Sequence, residues 1–412
     1  MGMWFGPSAY LWIVLGCIFG GAVHDYISGM LSLRHDGCGL AELTGLYLGG
    51  TARKALVVFT MMMMVLVGAF FVYCPAIILS GIWGDKMMWV IIIFLYYVTT
   101  TMMPIDKVIG RIYPAFALSM LFMVVALGIV LFIKHPVLPE VWDGLGNWGA
   151  TRLGLKQPLF PALFVTIACG AVSGFHATQS PMMARCIKNE RYGLRCFYGA
   201  MVTEGVVALI WAAASIKYAG SYQHLYDLMS AGGTQKVNPA VVVDMMCRDW
   251  LGTAGLVLAV LGIVAAPIST GGSAFRAARL IFADFTGYGQ RTVVRRVALS
   301  LPLFLLAVVM LNVSSFKVLW LYVSWFNQVL ATFTFFTIAH FLRHRSDGSG
   351  ICPRWSWLLA FFPAVFMCSV SACFILIDVD NGFGLPHLWG YVIGGLITLM
   401  MTALFLKYQF KS

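Results

Sequence analysis

Apolar residues run through this chain in stretches of about twenty, divided by short segments that hold most of the charge. Wound as helix, a run of that length matches the hydrocarbon thickness of a bilayer. Eleven such runs can be drawn, near residues 8–29, 55–81, 87–103, 112–133, 159–180, 196–217, 252–270, 293–311, 316–341, 355–377 and 386–407. Two shorter pieces read as helices that do not cross. Residues 39–48 are amphipathic. Residues 238–250 open well, with Asn238 before Pro239, but their apolar stretch is short, which predicts an interfacial helix or a re-entrant cap. One run departs from the pattern. Residues 160–195 begin as a very apolar helix, which Gly170, Ser173, Gly174, His176, Thr178, Gln179 and Ser180 then interrupt; Pro181 and four cations (Arg185, Lys188, Arg191, Arg195) follow. A helix broken inside lipid is tolerated only where protein or a wet cavity takes up the freed backbone groups. This stretch is therefore the predicted site.

Composition fixes the class. The 412 residues are 60% hydrophobic and 10% charged, with mean hydropathy +0.87, against roughly 25% charged in soluble domains. The reading is an all-α polytopic membrane protein. The net charge of +11 does not indicate nucleic acid, because the cations sit in loops between apolar runs and form no basic face. Drawn on the eleven spans, nineteen of the 27 lysines and arginines fall on one side, which predicts that side to be cytoplasmic, the N-terminus outside and the C-terminus inside. The first run carries no cation before Arg34, so it reads as a span and not a secretory signal. The ten cysteines show no metal-ligand spacing and read as small buried hydrophobes. No Walker loop, Rossmann fingerprint or hydrolytic triad is found, so neither ATP-driven pumping nor enzymatic chemistry has support, and no cofactor is expected beyond H⁺ or Na⁺ as a coupling ion.

Several polar residues inside these runs are candidates for chemistry. Glu204 lies near the middle of the sixth run, where a carboxylate costs a few kcal/mol and should face the protein interior. It reads as a proton carrier or cation ligand, or as a structural carboxyl bonded to a neighbouring helix. Gly170, Ser173, Gly174, Phe175, His176, Thr178 and Gln179 line the break and read as a substrate path; the alternative is that His176 only caps the helix and Gly170 and Gly174 allow close packing. Pro267 frees a carbonyl near Ser269, Thr270 and Ser273, whose hydroxyls suit a hard cation such as Na⁺ or else bond back to their own helix, the reading favoured from spacing. His24 and Asp25, at the end of the first run, read as a relay or gate, or as an interfacial anchor. Asn327 and Gln328 read as amides bonding across helices.

The segments GGAVHDYISGMLSLRHDG, FPALFVTIACGAVSGFHATQSP, TGGSAFRAAR and WFNQVLA together resemble the carbon starvation protein A family of bacterial inner-membrane transporters. The resemblance implies a secondary transporter connected with peptide uptake, with pyruvate importers among related members; the partners are then a small solute and the lipid bilayer. It also implies a core of the amino acid–polyamine–organocation type, five plus five helices in inverted repeat. Residues 1–133 would be the remainder of the first repeat, 158–341 the second repeat and 355–407 two peripheral helices. On that plan the broken run is core helix 6 and the first run core helix 2, so core helix 1 is expected upstream of Met1. Two other readings stand beside import: a membrane sensor that binds solute without moving it, and a truncated product without activity.

Overall fold

The computed structural model describes residues 5–102, 105–134, 142, 145–147, 150–151, 158–167, 170–219, 239–259, 262, 264–290, 292–313, 316–344, 355–379 and 382–411. Among them there is helix and turn, and no strand. In chain order the helices are α1 (Pro7–Arg34), α2 (Leu40–Leu48), α3 (Gly50–Ser80), α4 (Lys86–Met102), α5 (Ile105–Lys134), α6 (Leu159–Thr166), α7 (Gly174–Ala184), α8 (Gly199–Ala219), α9 (Pro239–Ala259), α10 (Ala265–Thr286), α11 (Val293–Val313), α12 (Phe316–His344), α13 (Leu358–Ile377) and α14 (His387–Lys411). Among the described residues, seven helical stretches are long and apolar enough to cross a membrane alone: α1, α3, the stretch ending in α8, α11, α12, α13 and α14. Within the broken run the described helices are pieces of 8 and 11 residues.

The exterior is apolar. Phe132, Val294, Leu388, Phe19 and Leu399 are each more than two-thirds exposed, a surface that suits lipid and not water. The interior is built on α3 and α12, each with 67% of its apolar window buried, against 22% for α14. α3 packs on α10, α12, α2, α4 and α11, and α12 on α13, α7 and α2. Met63, Met64, Phe70, Tyr97, Phe275, Leu319 and Leu330 join in the largest apolar cluster. Gly68 permits this, since a Cβ there would run into the Phe275 ring.

Three features differ from the pattern read along the chain. The run at 252–270 is not one helix. Gly252 (φ 60°, ψ −143°) breaks α9, and α10 continues well past residue 270 to Thr286. The piece expected at 238–250 is the first part of α9; its start, Asn238, lies outside the described residues. Arg276 and Arg279, counted above among loop cations, are buried inside α10 at 4% and 6% exposure. Hydropathy ends a span at the first charges, but a buried arginine bonded to a helix terminus does not end a helix.

Candidate functional site

The break forms where small and polar residues replace apolar ones. α6 ends at Thr166, Ile167 leaves helical geometry (φ −106°, ψ 51°), and Ser173 is extended before α7 restarts at Gly174. Both freed ends find partners on α12. Gln328 Nε2 donates to the Phe164 carbonyl at 3.2 Å, at the end of α6. Asn327 Oδ1 accepts from the Phe175 amide at 2.6 Å and from Ser173 Oγ at 3.3 Å, at the start of α7. Two adjacent amides thus satisfy both halves of the break, which is how a discontinuous helix is tolerated in lipid. Gly174 lets the backbones meet: a Cβ there would strike Asn327 and Ala331 of α12.

On the other side the break packs against α1. Residues Gly16–Gly21 form a π-helical turn, a local irregularity common at functional sites. A Cβ at Gly16 would lie 2.9 Å from Ala171 Cβ, one at Gly20 2.7 Å from Val172 Cγ2, and one at Gly21 would overlap the Ala171 carbonyl. Gly21→Val is therefore expected to separate α1 from the break, at a cost of about 1–3 kcal/mol or more for overpacking. The thermal midpoint of the purified protein should fall. Gly50→Ala, where a Cβ meets nothing within 4 Å, should leave it unchanged.

That contact aligns a chain of titratable groups. Asp25, of α1, takes two imidazoles on its two oxygens: His24 Nδ1 at 2.8 Å on Oδ1 and His176 Nδ1 at 2.7 Å on Oδ2. The other ring nitrogen of His176, Nε2, lies 3.3 Å from Glu204 Oε2 of α8. His24, Asp25, His176 and Glu204 form one line through three helices. Side-chain exposure along it rises from 0% to 8%, 26% and 37%, so His24 is the most covered member of the line and Glu204 the least. His24 and Asp25 are mid-helix beside the break, not at the end of the span.

Proton counting gives each member a role. His24 holds Asp25 through Nδ1–H, and its Nε2 is buried without a partner, so the line does not continue past it. His176 faces a carboxylate on each ring nitrogen, yet a neutral imidazole has one N–H. Either the ring is imidazolium between two carboxylates, or it is neutral and one carboxyl carries the proton. Moving one proton along the line converts one state into the other.

The remaining candidates lie elsewhere. Thr178 Oγ1 donates to the Phe175 carbonyl at 2.6 Å, accepts from Gln179 Nε2 at 3.0 Å and lies 3.9 Å from Met64 Sδ, on the α3 side of α7. A Cβ at Gly170 would lie 3.1 Å from Ala208 of α8. In α10, Ser269 Oγ and Thr270 Oγ1 donate to the Ala266 carbonyl at 2.8 and 3.0 Å, and Ser273 Oγ to the Thr270 carbonyl at 2.8 Å. The hydroxyls serve their own helix, and the structure does not bring them to the His176 line. Arg276 and Arg279 were missed as interior residues. Their spacing of three, with Gly272 and Phe275 on the same stretch, is the signal for a helix face that α10's true length makes readable.

The carbon starvation protein CstA family profile matches residues 1–83 and 72–251, well over half the chain. The chain belongs to the CstA family. Among CstA-family and other relatives, a Haemophilus influenzae "uncharacterized membrane protein" is 39% identical over 56% of this chain and 76% of its own length. The Campylobacter jejuni peptide transporter CstA is 27% identical over 59% of this chain and 43% of its own. The Escherichia coli pyruvate/proton symporter BtsT is 44% identical over 24% of this chain and 13% of its own. This CstA-family chain thus spans under half the length of the named transporters it matches. In fold it resembles the manganese transporter of Eremococcus coleocola, with TM-score 0.64 and 15% identity over 99% of this chain and 88% of that one. At that identity the likeness is one of fold alone.

Proposed function

We propose that this chain forms the core of a secondary-active importer of small organic nutrients, peptides or pyruvate-like carboxylates, driven by proton symport. The observation that carries the reading is His176 held between Asp25 and Glu204 across three helices. A titratable line inside a membrane protein is costly to keep and suits proton coupling. The names of the relatives, peptide transporters and a pyruvate/proton symporter, point to the same class. In this reading solute binds at the break, among Gly170, Ser173, Gly174, Phe175, Thr178 and Gln179, beside His176, whose part is to carry the proton. Glu204, the least covered member, takes up protons, His176 passes them on, and Asp25, fixed by His24, receives them and acts as the gate. Because α7 carries His176, tilting α7 makes or breaks the line, which links proton occupancy to access.

Residues 1–133 and 158–341 act as two repeats rocking about this site. The basic loops face the cytoplasm of a bacterial inner membrane, with the N-terminus outside. The protein in proteoliposomes should accumulate pyruvate or dialanine when the outside is made acidic. Failure to accumulate either under an imposed proton or sodium gradient would refute import, and saturable binding without counterflow would favour a sensor.

A further inference from the structure

α1 meets α8, and the π-helical turn Leu194–Tyr198 before it, along an antiparallel seam of close contact. A Cβ at Gly29 would lie 2.6 Å from the Phe197 ring, one at Gly21 2.9 Å from Met201 Cε, and one at Gly205 2.7 Å from Cys17 Sγ. On the α8 side the seam recurs every four residues, at 197, 201 and 205. On α1 it takes 17, 21 and 29, and the remaining position of that series is Asp25, which reaches across to His176. A four-residue series drifts around an α-helix by about 40° at each step. The more slowly wound π-turn at Gly16–Gly21 offsets that drift and keeps Cys17 on the seam. Cys17 is 3% exposed, and its Sγ donates to the Met201 carbonyl at 3.2 Å. The carboxylates of Glu204 and Asp25 both lie within electrostatic reach of the thiol.

The three levels of the seam differ in stiffness. Met201 Cε is the end of a flexible side chain, and the Phe197 ring can turn in place. Cys17 has one rotatable bond and meets backbone at both of its contacts, the Met201 carbonyl and the glycine whose missing side chain makes room for it. That stiff level is one residue from Glu204. Glu204 depends on it, because a side chain 37% exposed is not fixed by its own packing. Its 3.3 Å reach to His176 Nε2 is also just beyond the usual N–H···O range of about 2.7–3.2 Å, so a small displacement of α8 makes or breaks the pair. We propose that Cys17, seated against Gly205, is a positioning residue that sets the height and rotation of α8 on α1 and so the His176–Glu204 separation. The inference rests on the titratable line as the proton path and adds the contact that holds its Glu204 end in place.

The test is a double-mutant cycle on the purified full chain, read as the thermal midpoint in detergent. His176→Gln and Glu204→Gln are combined first in the unaltered protein, where they should be non-additive by about 1 °C or more. Cys17→Ser keeps a small donor and should retain that coupling. Gly205→Ala sets a methyl group against Cys17 Sγ and should abolish it. Cys17→Val enlarges the other side of the contact and should do the same, which covers the case of a poorly folded Gly205→Ala. In Cys17→Ala/Gly205→Ala the methyl gains the space of the sulfur, and the coupling should return. A contact that only supports the fold lowers every midpoint in the cycle alike and leaves the coupling unchanged. Full coupling in Gly205→Ala and Cys17→Val therefore overturns the proposal and leaves the line standing. Coupling lost in Gly205→Ala and not regained in the double variant also overturns it, since α8 is then damaged and not displaced. Additivity in the unaltered protein refutes the His176–Glu204 contact itself, and the proposal with it.

Discussion

His176→Gln is expected to abolish proton-driven accumulation while leaving solute exchange within a few-fold of the unaltered protein. Glutamine keeps a donor and an acceptor in the gap between Asp25 and Glu204 but cannot take up and release a proton. With one proton per solute, a gradient of one pH unit supplies about 1.4 kcal/mol, a tenfold accumulation ratio. The ratio should fall to about one in His176→Gln, with exchange of labelled for unlabelled solute retained. Glu204→Gln should do the same, because the least covered member of the line then takes up no proton. His24→Gln should have a smaller effect, since His24 positions Asp25 and has no onward partner. Undiminished pH-driven accumulation in both His176→Gln and Glu204→Gln would remove the line from the mechanism.

The class of the protein and the place of the break were legible because both depend on local composition. Runs of apolar residues report helix length, and Gly170, Ser173 and Gly174 report its interruption. The line of titratable groups was not legible as a unit. His176 and Asp25 are 151 residues apart, and their contact depends on the glycine face of α1, which brings the backbones together without any periodic signal. His24 and Asp25 read as the end of a span because hydropathy falls there, whereas the helix runs on to Arg34. The same bias placed Arg276 and Arg279 in a loop. A charge satisfied by the carbonyls of another helix leaves no mark on a hydropathy profile. Asn327 and Gln328 were readable as amides bonding across helices, because an amide inside an apolar run has few other uses; which groups they satisfy was not.

That last assignment carries the largest expected effect on assembly. Asn327 Oδ1 is the acceptor for both the Phe175 amide and Ser173 Oγ, and Asn327 and Ser173 are fully buried. Asn327→Leu preserves approximate volume and leaves two donors unsatisfied where no water can reach them. At about 1–3 kcal/mol for each, the loss is a large part of a typical net stability of 5–15 kcal/mol. The start of α7 should fray, carrying His176 away from Asp25 and Glu204. Asn327→Asp keeps the acceptor, and its negative charge is favourable at a helix N-terminus, so it should retain most of the stability. The readouts are the thermal midpoint in detergent and the exchange rate in proteoliposomes. Asn327→Leu should lower the first and abolish the second, with Asn327→Asp close to the unaltered protein in both. Equal behaviour of the two variants would mean that the break is held by packing of Gly174 on α12 and not by the amide, and the solute site would then have to be argued from that packing alone.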